Sequence, residues 1–431
     1  MPRVLLLLPT TSWRAEALLA ACGRLGLEAT VGTDRPLVWS ERTPGRVIAL
    51  DFARPDSAAE AVAGFARERP IAAVVGADDE TTLLAATIAS RLGLAHNPIG
   101  ALTAIRDKLA QREILAGAGV PVPRHTLCRL DEDPAAVAGR VGFPCVIKPR
   151  RLAASRGVMR ADDLPSLGAV MRRLAALLAS PEAESCGEWA ETAIVESFIP
   201  GREVALEGLI EDGRLRTLAL FDKPDPLDGP YFEETIYVTP SRLPPEAQAA
   251  LAATAARAAR ALGLERGPVH AELRLNQRGP WLIELAARPI GGLCSRVLRF
   301  GDGVSLEELV LMESLGMETA ALARETSSTG VMMIPIPGAG TLERVEGRED
   351  AERVPGIERV IITAHPGERL TPFPEGSRYP GFLFARGDDP VGVEVALRAA
   401  HRALRFVMVQ GTASAALTAS PGLAGEAVAG R

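Results

Sequence analysis

The first hundred residues alternate short apolar runs with alanine-rich stretches of helical periodicity. Short apolar runs of this kind are typical of buried strands, and strands separated by helices pair in parallel because each crossover returns the chain in the same direction. The alternation therefore predicts βαβ units around a parallel sheet. The predicted strands are Val4 to Leu8, Ala29 to Val31, Val47 to Leu50 and Ile71 to Val75.

Three acidic residues, Asp78, Asp79 and Glu80, follow directly after the last of these strands. Open parallel sheets bind ligands at the carboxyl ends of their strands, so this position favours a binding site. Acidic residues in the first turn of a helix are also stabilised by the helix dipole. The sequence leaves both interpretations open.

The rest of the chain divides into units of different character, and a length of 431 residues allows about three domains. A smaller α/β region precedes a region richer in antiparallel strands, and an Ala/Gly/Ser/Pro-rich end is predicted to be disordered. The predicted units are an N-terminal parallel α/β domain at 1–115, a small lobe at 116–190, a large lobe at 191–325, a C-terminal α+β domain at 326–412 and a tail at 413–431.

Composition narrows the class of partner. The net charge is −6 and no basic stripe is present, which argues against nucleic acid and anionic membrane surfaces and favours small molecules. No run approaches the roughly 18 apolar residues of a membrane helix. Five scattered cysteines without a Cys-x-x-Cys motif indicate neither a zinc site nor a disulfide framework. A reducing cytoplasmic location is therefore expected.

Only three of the 48 basic residues are lysines. Lys108 precedes a helical pattern, whereas Lys148 and Lys223 each stand at the end of a predicted strand. Lysine is a compact charge on a flexible stem and suits a phosphate oxygen in a narrow pocket. The three lysines are therefore candidates for anion binding, with three ordinary surface residues as the alternative.

Two glutamates are expected to face each other across a hairpin. Alternation around His270, Glu272 and Arg274 predicts a strand, and a turn centred on Arg278 would place Glu284 directly opposite Glu272. Two carboxylates in that position repel unless a positive charge lies between them. Mg²⁺ is the obvious cation, because it prefers oxygen ligands and uses one or two carboxylates together with substrate phosphates.

Further polar positions cluster around predicted strand ends. Glu196 and Glu203 flank a tight turn whose backbone could pair with a purine edge. The segment 149–158, after Lys148, is a loop of basic and small residues that could cover phosphates. Arg288 follows the second glutamate of the pair and could stabilise charge on a transferring group.

In order and spacing these motifs resemble the ATP-grasp superfamily, the ATP-dependent carboxylate-amine ligases. The resemblance covers about residues 3 to 410, and the segment from Asp222 to Thr235 and the last domain look like those of L-amino-acid ligases, biotin carboxylase and their relatives. The fold implied is an N-terminal parallel α/β domain, a two-lobed ATP-grasp fold and a C-terminal α+β domain. The matching positions are Asp107-Lys108, Val146 to Pro149, Glu196 to Glu203, His270 to Glu272, Glu284 to Arg288 and Gly291-Gly292.

The resemblance implies ATP as nucleotide, Mg²⁺ or Mn²⁺ as metal, and a small carboxylic acid and an amine or amino acid as substrates. Lys108 and Lys148 would hold phosphates, and Glu203 would contact the ribose. Adenine would be contacted by Glu196 and by the backbone of Phe198 and Ile199. Other predicted nucleotide contacts are Ser155, Gly157, Lys223 and His270; the predicted metal ligands are Glu272 and Glu284; the predicted substrate residues are Glu233, Arg288, Gly291 and Gly292; the predicted catalytic residues are Arg288 and Lys148.

Two positions depart from the family pattern. Ala286 stands where the family usually carries an asparagine that binds metal, which puts a second Mg²⁺ in doubt. The loop after Lys148 lacks most of the usual glycines, so arginines would supply charge there instead. The candidates are Arg150, Arg151 and Arg156.

Several alternatives stay open at this point. His270 is as compatible with a strand histidine bonded to a carbonyl group as with a ligand contact. A carboxylase that uses bicarbonate, and a nucleotide-binding protein without catalysis, are alternatives to the ligase. A homodimer is expected because relatives of this kind often dimerise.

Overall fold

The structure, a computed structural model, describes residues 1–10, 12–35 and 45–409. The tail predicted to be disordered, at 413–431, lies outside these residues. Among the described helices, none combines the length and apolar character needed to cross a bilayer. All five cysteines are buried and carry free thiols.

The N-terminal region forms the predicted parallel sheet, with strand order β3-β2-β1-β4. Residues 4–7 of the first strand are fully buried because helices cover both faces of the sheet. The order reverses between β1 and β4, so the loops that follow these two strands open a crevice at the sheet edge. The elements are β1 (Arg3–Leu7), α1 (Ala15–Arg24), β2 (Glu28–Thr33), β3 (Val47–Ala49), α2 (Pro55–Ala66), β4 (Ala73–Gly76), α3 (Thr82–Arg91), α4 (Ile99–Ile105) and α5 (Lys108–Gly117).

The small lobe is a four-stranded antiparallel sheet of order β5-β8-β6-β7, covered by two helices. The longer helix begins at a capping box formed by Asp163 and Ser166, which satisfies free backbone N–H groups at its first turn. The elements are β5 (His125–Arg129), α6 (Pro134–Val141), β6 (Cys145–Pro149), β7 (Met159–Ala161), α7 (Leu164–Leu178) and β8 (Thr192–Ser197).

One predicted boundary is wrong. The domain limit at residue 190 assigned β8 to the large lobe, but β8 pairs with both β5 and β6 of the small lobe. Its buried residues, including Ala193 and Val195, pack in the small-lobe core. The lobes therefore meet after β8, because pairing between distant strands, rather than chain order, decides which sheet a strand joins.

The large lobe is built on an eight-stranded sheet of order β13-β12-β9-β10-β11-β16-β20-β18. Helix α8 packs on it through Leu251, Ala255 and Ala258, an apolar stripe at helical spacing whose small residues allow close contact. The elements are β9 (Arg202–Glu211), β10 (Arg214–Asp222), β11 (Ile236–Thr239), α8 (Pro245–Ala261), β12 (Gly267–Asn276), β13 (Gly279–Ala286), β14 (Arg299–Phe300), β15 (Val304–Ser305) and α9 (Leu306–Ser314).

The predicted C-terminal domain at 326–412 has a small core of its own around Leu342 and Leu370, but its described residues also share a sheet with the large lobe. Three of its strands, β16, β18 and β20, continue the sheet of the large lobe, and only β17, β19 and β21 form a sheet of their own. Pairing of β16 with β11 joins the two regions. The elements are β16 (Ser328–Met333), β17 (Gly340–Glu346), α10 (Arg348–Glu352), β18 (Ile357–Ile362), β19 (Arg369–Leu370), β20 (Gly381–Gly387), α11 (Pro390–Ala403) and β21 (Arg405–Val409).

Candidate active site

A cavity of about 390 Å³ lies where the N-terminal domain, both lobes and the C-terminal region meet. This volume is within the range of small-ligand sites. Its walls include the loops after β1 and β4, the loop after β6, the end of β8 and the hairpin β12–β13. The predicted site residues that line it are Lys108, Lys148, Ser155, Glu196, Phe198, Ile199, Glu203, His270, Glu272, Glu284, Arg288, Gly291 and Gly292.

The hairpin places Glu272 directly opposite Glu284, as predicted, although by a different route. The turn is one residue tighter than the predicted turn centred on Arg278, because Asn276 pairs with Gly279. A register shift between Glu272 and Leu273 then restores the pairing. This β-bulge compensates for the shorter turn, so both carboxylates share the face that lines the cavity.

Glu272 faces a buried ammonium group. Lys223 Nζ lies 2.9 Å from Glu203 Oε1 and 3.8 Å from Glu272 Oε2, and it also contacts Glu234. Burial disfavours the charged form of Glu272, but Lys223 and the neighbouring His270 outweigh burial and lower its pKa. The same three carboxylates raise the pKa of Lys223 against the effect of burial. Lys223 does not line the cavity. It neutralises three acids that do line it, Glu203, Glu234 and Glu272.

Glu284 has a cation of its own. Lys108 Nζ lies 3.2 Å from Glu284 Oε1 and donates to the carbonyl oxygen of Leu152 at 2.8 Å. Burial opposes ionisation of Glu284, but Lys108 and Lys148 lower its pKa. Lys108 therefore joins the second acid of the hairpin to the backbone of the loop after β6.

Lys148 belongs to a buried triad. Its Nζ lies 2.9 Å from Glu196 Oε2, and Arg112 Nε donates to Glu196 Oε1 at 2.6 Å. Burial alone would raise the pKa of Glu196, but the two cations lower it to about 2. Glu196 is 2% exposed, so its carboxylate positions Lys148 at the cavity wall while both of its oxygens are engaged.

The turn after Glu196 is fixed by Arg274. Its guanidinium donates to Glu203 Oε2 at 2.8 Å and to the carbonyl oxygen of Ile199 at 2.8 Å, and it lies over the ring of Phe198. The predicted adenine and ribose contacts therefore stand side by side at one end of the cavity. Arg274 was expected only to share a face with Glu272, and its positioning of this turn was not predicted.

The loop after β6 covers the cavity with Ala154 and Ser155, both at positive φ. Gly157 does not line the cavity. Its backbone N–H donates to Pro374 at 2.9 Å, and Arg156 Nε donates to the carbonyl oxygen of Glu375 at 3.0 Å. The loop is thus attached to the C-terminal region, a contact that the sequence did not reveal.

Arg288 reaches the N-terminal domain. Its Nε donates to Asp79 Oδ2 at 2.9 Å, and this pairing raises the pKa of Arg288 despite its burial. Burial opposes ionisation of Asp79, but Arg288 lowers the pKa of that carboxyl. The acids after β4 were interpreted either as part of a binding site or as stabilising a helix terminus. The structure favours the binding site, since Asp79 lines the cavity beside Arg288.

His270 is paired with a carboxylate rather than with a carbonyl group. Its Nδ1 contacts Glu207, and its Nε2 lies 3.6 Å from Glu272 Oε1. Burial would lower the pKa of His270, but Glu207 raises it to about 9. Glu207 also accepts from the backbone N–H of Ile290 at 3.0 Å, which ties the hairpin to the segment after Arg288.

Glu233, a predicted substrate residue, does not line the cavity, although its neighbours in the chain do. Its Oε1 is buried without a hydrogen-bond partner among the described residues, and burial raises the pKa of its carboxyl. The substrate role of Glu233 stays a prediction. The sequence analysis gave no role to Glu207, Glu234 or Arg112; of these, Glu207 is the single acid in the apolar run at 204–210 of β9.

Comparisons with known proteins agree with this geometry. The ATP-grasp domain family matches residues 141–297, the ATP-grasp N-terminal domain family matches residues 19–96, and the family named L-amino acid ligase C-terminal domain 2 matches residues 332–409. An L-amino acid ligase from Bacillus licheniformis has a similar fold, with a TM-score of 0.78 and 25% identity over 95% of this chain and 99% of that one.

Sequence relatives include alanine–anticapsin ligase of Bacillus subtilis, 30% identical over 56% of this chain and 54% of that protein. D-alanine–D-alanine ligase of Aromatoleum aromaticum is 31% identical over 42% of this chain and 56% of that protein. The chain thus spans about half the length of these relatives. With a matching N-terminal domain, nucleotide domain and C-terminal domain, the chain belongs to the ATP-grasp superfamily, in the group that carries the L-amino acid ligase C-terminal domain.

Proposed function

We propose that the protein is an ATP-dependent carboxylate-amine ligase that forms an amide or peptide bond and releases ADP and phosphate. A carboxylate oxygen of the first substrate attacks the γ-phosphorus of ATP, and the bond to ADP breaks. The amine nitrogen of the second substrate then attacks the acyl carbon and loses a proton, and phosphate leaves with the bonding electrons. The matching C-terminal family and the similarity to an L-amino acid ligase favour this function over bicarbonate-dependent carboxylation.

One observation carries the proposal. The cavity wall carries three cations, each paired with an acid: Lys148 with Glu196, Lys108 with Glu284, and Arg288 with Asp79. Phosphoryl transfer depends mainly on positioning and on neutralising charge as it moves. A wall of this kind supports two successive transfers at neighbouring positions of one cavity.

The hairpin carboxylates fit a divalent cation. The nearest cationic nitrogens to Glu272 belong to His270 at 3.6 Å and Lys223 at 3.8 Å, beyond ordinary hydrogen-bond length. The pKa values of the Glu272 and Glu284 carboxyl groups are lowered, so both groups are ionised at neutral pH. Mg²⁺ held there would neutralise phosphate charge. Ala286 also lines the cavity and offers no ligand atom, so these two glutamates are the proposed metal ligands.

Further residues that line the cavity are proposed to bind ATP and the substrates. Lys108 and Lys148 are proposed to bind phosphates, with Ser155 in the loop above them. Arg288 is proposed to stabilise the acyl phosphate and the tetrahedral species that follows. Adenine and ribose are proposed to lie beside Phe198, Ile199 and Glu203. Because Arg112 and Lys148 engage both oxygens of Glu196, that acid is proposed to act on adenine through its backbone.

Phosphate release tests the proposal. The purified protein is incubated with ATP and Mg²⁺ and with the standard amino acids in all pairs, and separately with bicarbonate. Phosphate that appears only with particular pairs, with ADP as co-product, is the expected result. Release with bicarbonate alone would instead identify a carboxylase, and ATP binding without ADP release under every condition would identify a protein without catalysis.

Two further expectations remain predictions. Five free, buried cysteines support a reducing compartment such as the cytoplasm. A homodimer is expected from the resemblance and is checked by light scattering of the purified chain.

A further inference from the structure

The end of the cavity beyond Arg288 has an aromatic wall, formed by Trp13, Tyr379 and Phe382. Phe382 lies edge-on to Trp13, with ring centroids 6.2 Å apart, and edge-on to Tyr379 at 6.3 Å. Aromatic residues make up only 4% of the chain, so three of them on one cavity wall are a marked local concentration. Aromatic rings in contact bury large apolar areas and form a rigid surface.

Phe382 of the aromatic wall belongs to the core, whereas Trp13 and Tyr379 pack against that core from the cavity side. Trp13 and Tyr379 are only partly buried, and both face the cavity. They come from opposite ends of the chain: Trp13 follows β1 at the crevice where the strand order reverses, and Tyr379 precedes β20. Such a crevice is the usual ligand position of an open parallel sheet. The wall therefore closes the crevice over a space that a ligand can enter.

Charged groups of both signs adjoin the aromatic wall. Arg14, next to Trp13, lies 3.6 Å from Asp78, and its Nη1 atom is buried without a hydrogen-bond partner among the described residues. The pair of Asp79 and Arg288 stands on the same side. A ligand with an ammonium group, a carboxylate and an apolar side chain would find a complement for each part.

We propose that one substrate of the ligase is an α-amino acid with an aromatic or large aliphatic side chain, and that this side chain packs on the aromatic wall. The inference rests on the ligase function proposed above and names a substrate class for it. Trp13 and Phe382 are its specificity-determining residues. Gly292 contributes by leaving space, because a Cβ atom there would approach the ring of Phe382 to 3.2 Å.

The test compares two tryptophans. Phosphate release is measured for amino-acid pairs with Trp13→Ala and with Trp281→Ala; Trp281 lies under Arg278 on the hairpin and does not line the cavity. Pairs that contain Phe, Tyr, Leu or Met are expected to react best with the unchanged protein. Trp13→Ala should lower kcat/KM for these pairs about tenfold or more, and much less for pairs of small amino acids. Trp281→Ala should leave kcat/KM unchanged for both sets of amino-acid pairs.

Other outcomes overturn the proposal in distinguishable ways. Phosphate release confined to pairs of small or charged amino acids would leave the ligase function intact and refute the aromatic wall. Equal losses for all pairs in Trp13→Ala would show that Trp13 only stabilises the fold. If no pair releases phosphate, the change in Tm on addition of phenylalanine is measured instead. A rise in the Tm of the unchanged protein that Trp13→Leu abolishes would support binding of the side chain at the aromatic wall. No rise in the unchanged protein would refute it.

Discussion

The two ends of the cavity differ in how the chain builds them. At the nucleotide end, Lys108 begins α5 of the N-terminal region, Lys148 lies on β6 of the small lobe, and the hairpin acids lie on β12 and β13 of the large lobe. At the substrate end, Trp13 and Asp79 come from the N-terminal domain and Tyr379 from the C-terminal region. Each residue of the first end stands in a short sequence motif, whereas Trp13 and Tyr379 stand in no such motif and are brought together only by the packing of distant regions. Specificity can therefore change at one end without disturbing phosphate binding at the other.

The largest expected effect is at the nucleotide end. Glu272→Gln keeps the size of the side chain but removes the charge of a proposed metal ligand. We expect kcat to fall at least about a thousandfold, or about 4 kcal/mol in activation free energy, because phosphate charge is no longer neutralised. ADP release and the circular dichroism spectrum are measured together. Wild-type turnover in a folded Glu272→Gln protein would refute the metal assignment.

The buried lysine provides the next test. Lys223→Met leaves three acids, Glu203, Glu234 and Glu272, without their shared cation. Breaking a buried ion pair costs about 3 to 5 kcal/mol, so urea denaturation should show a loss of that size.

Lys108→Met is the matched control for Lys223→Met. Lys108 is partly exposed and faces one acid, so its loss should cost about 1 kcal/mol or less in stability but weaken ATP binding strongly. The reverse pattern, with Lys223 governing ATP affinity and Lys108 governing stability, would contradict the separation between a structural lysine and a binding lysine.

His270, which contacts Glu207, predicts a pH dependence of stability. Glu207 raises the pKa of His270 from 6.5 to about 9, so the protonated form stabilises the fold. This stabilisation is fully present below pH 6.5 and is lost as the pH rises through about 9, with a size of up to about 3 kcal/mol. Glu207→Gln should flatten the change in the free energy of unfolding across this window. An unchanged slope would show that His270 is not protonated in the folded protein.

The smallest effect concerns the substrate end. Asp79→Asn removes the charge that orients Arg288, and we expect kcat to fall about tenfold, or about 1.4 kcal/mol, with the KM for ATP unchanged. Asp51→Asn is the control, since Asp51 makes an exposed pair with Arg54 and is not among the residues that line the cavity. A rise in the KM for ATP in Asp79→Asn would place Asp79 at the nucleotide end instead.

Most residues predicted at the nucleotide end line one cavity because they lie in short motifs with regular alternation, whereas Gly157 and Lys223 do not line it. Even there, Glu272 faces Glu284 only because a bulge offsets a tighter turn, and neither feature could be read from the residues alone. The membership of β8 in the small lobe was missed for a related reason. Strand pairing over long distances in the chain depends on tertiary packing, which local patterns do not encode.

The substrate end could not be predicted in the same way. Asp79 was recognised as a candidate because it ends a parallel strand, but its partner Arg288 lies more than two hundred residues away. The role of Lys223 was obscured because a strand-end lysine suits a phosphate and an acid cluster equally. Glu207 could have been noticed, since the single acid within the apolar run at 204–210 must find a partner.

The continuous eight-stranded sheet bears on how this protein could be recombined with its relatives. A cut near residue 332, where the C-terminal family match begins, would pass through β16 and leave one edge of β11 with unpaired backbone groups. Exposed edges of this kind invite aggregation. Chimeras that exchange specificity would therefore keep every strand of this sheet and import only the loops that follow β1 and precede β20.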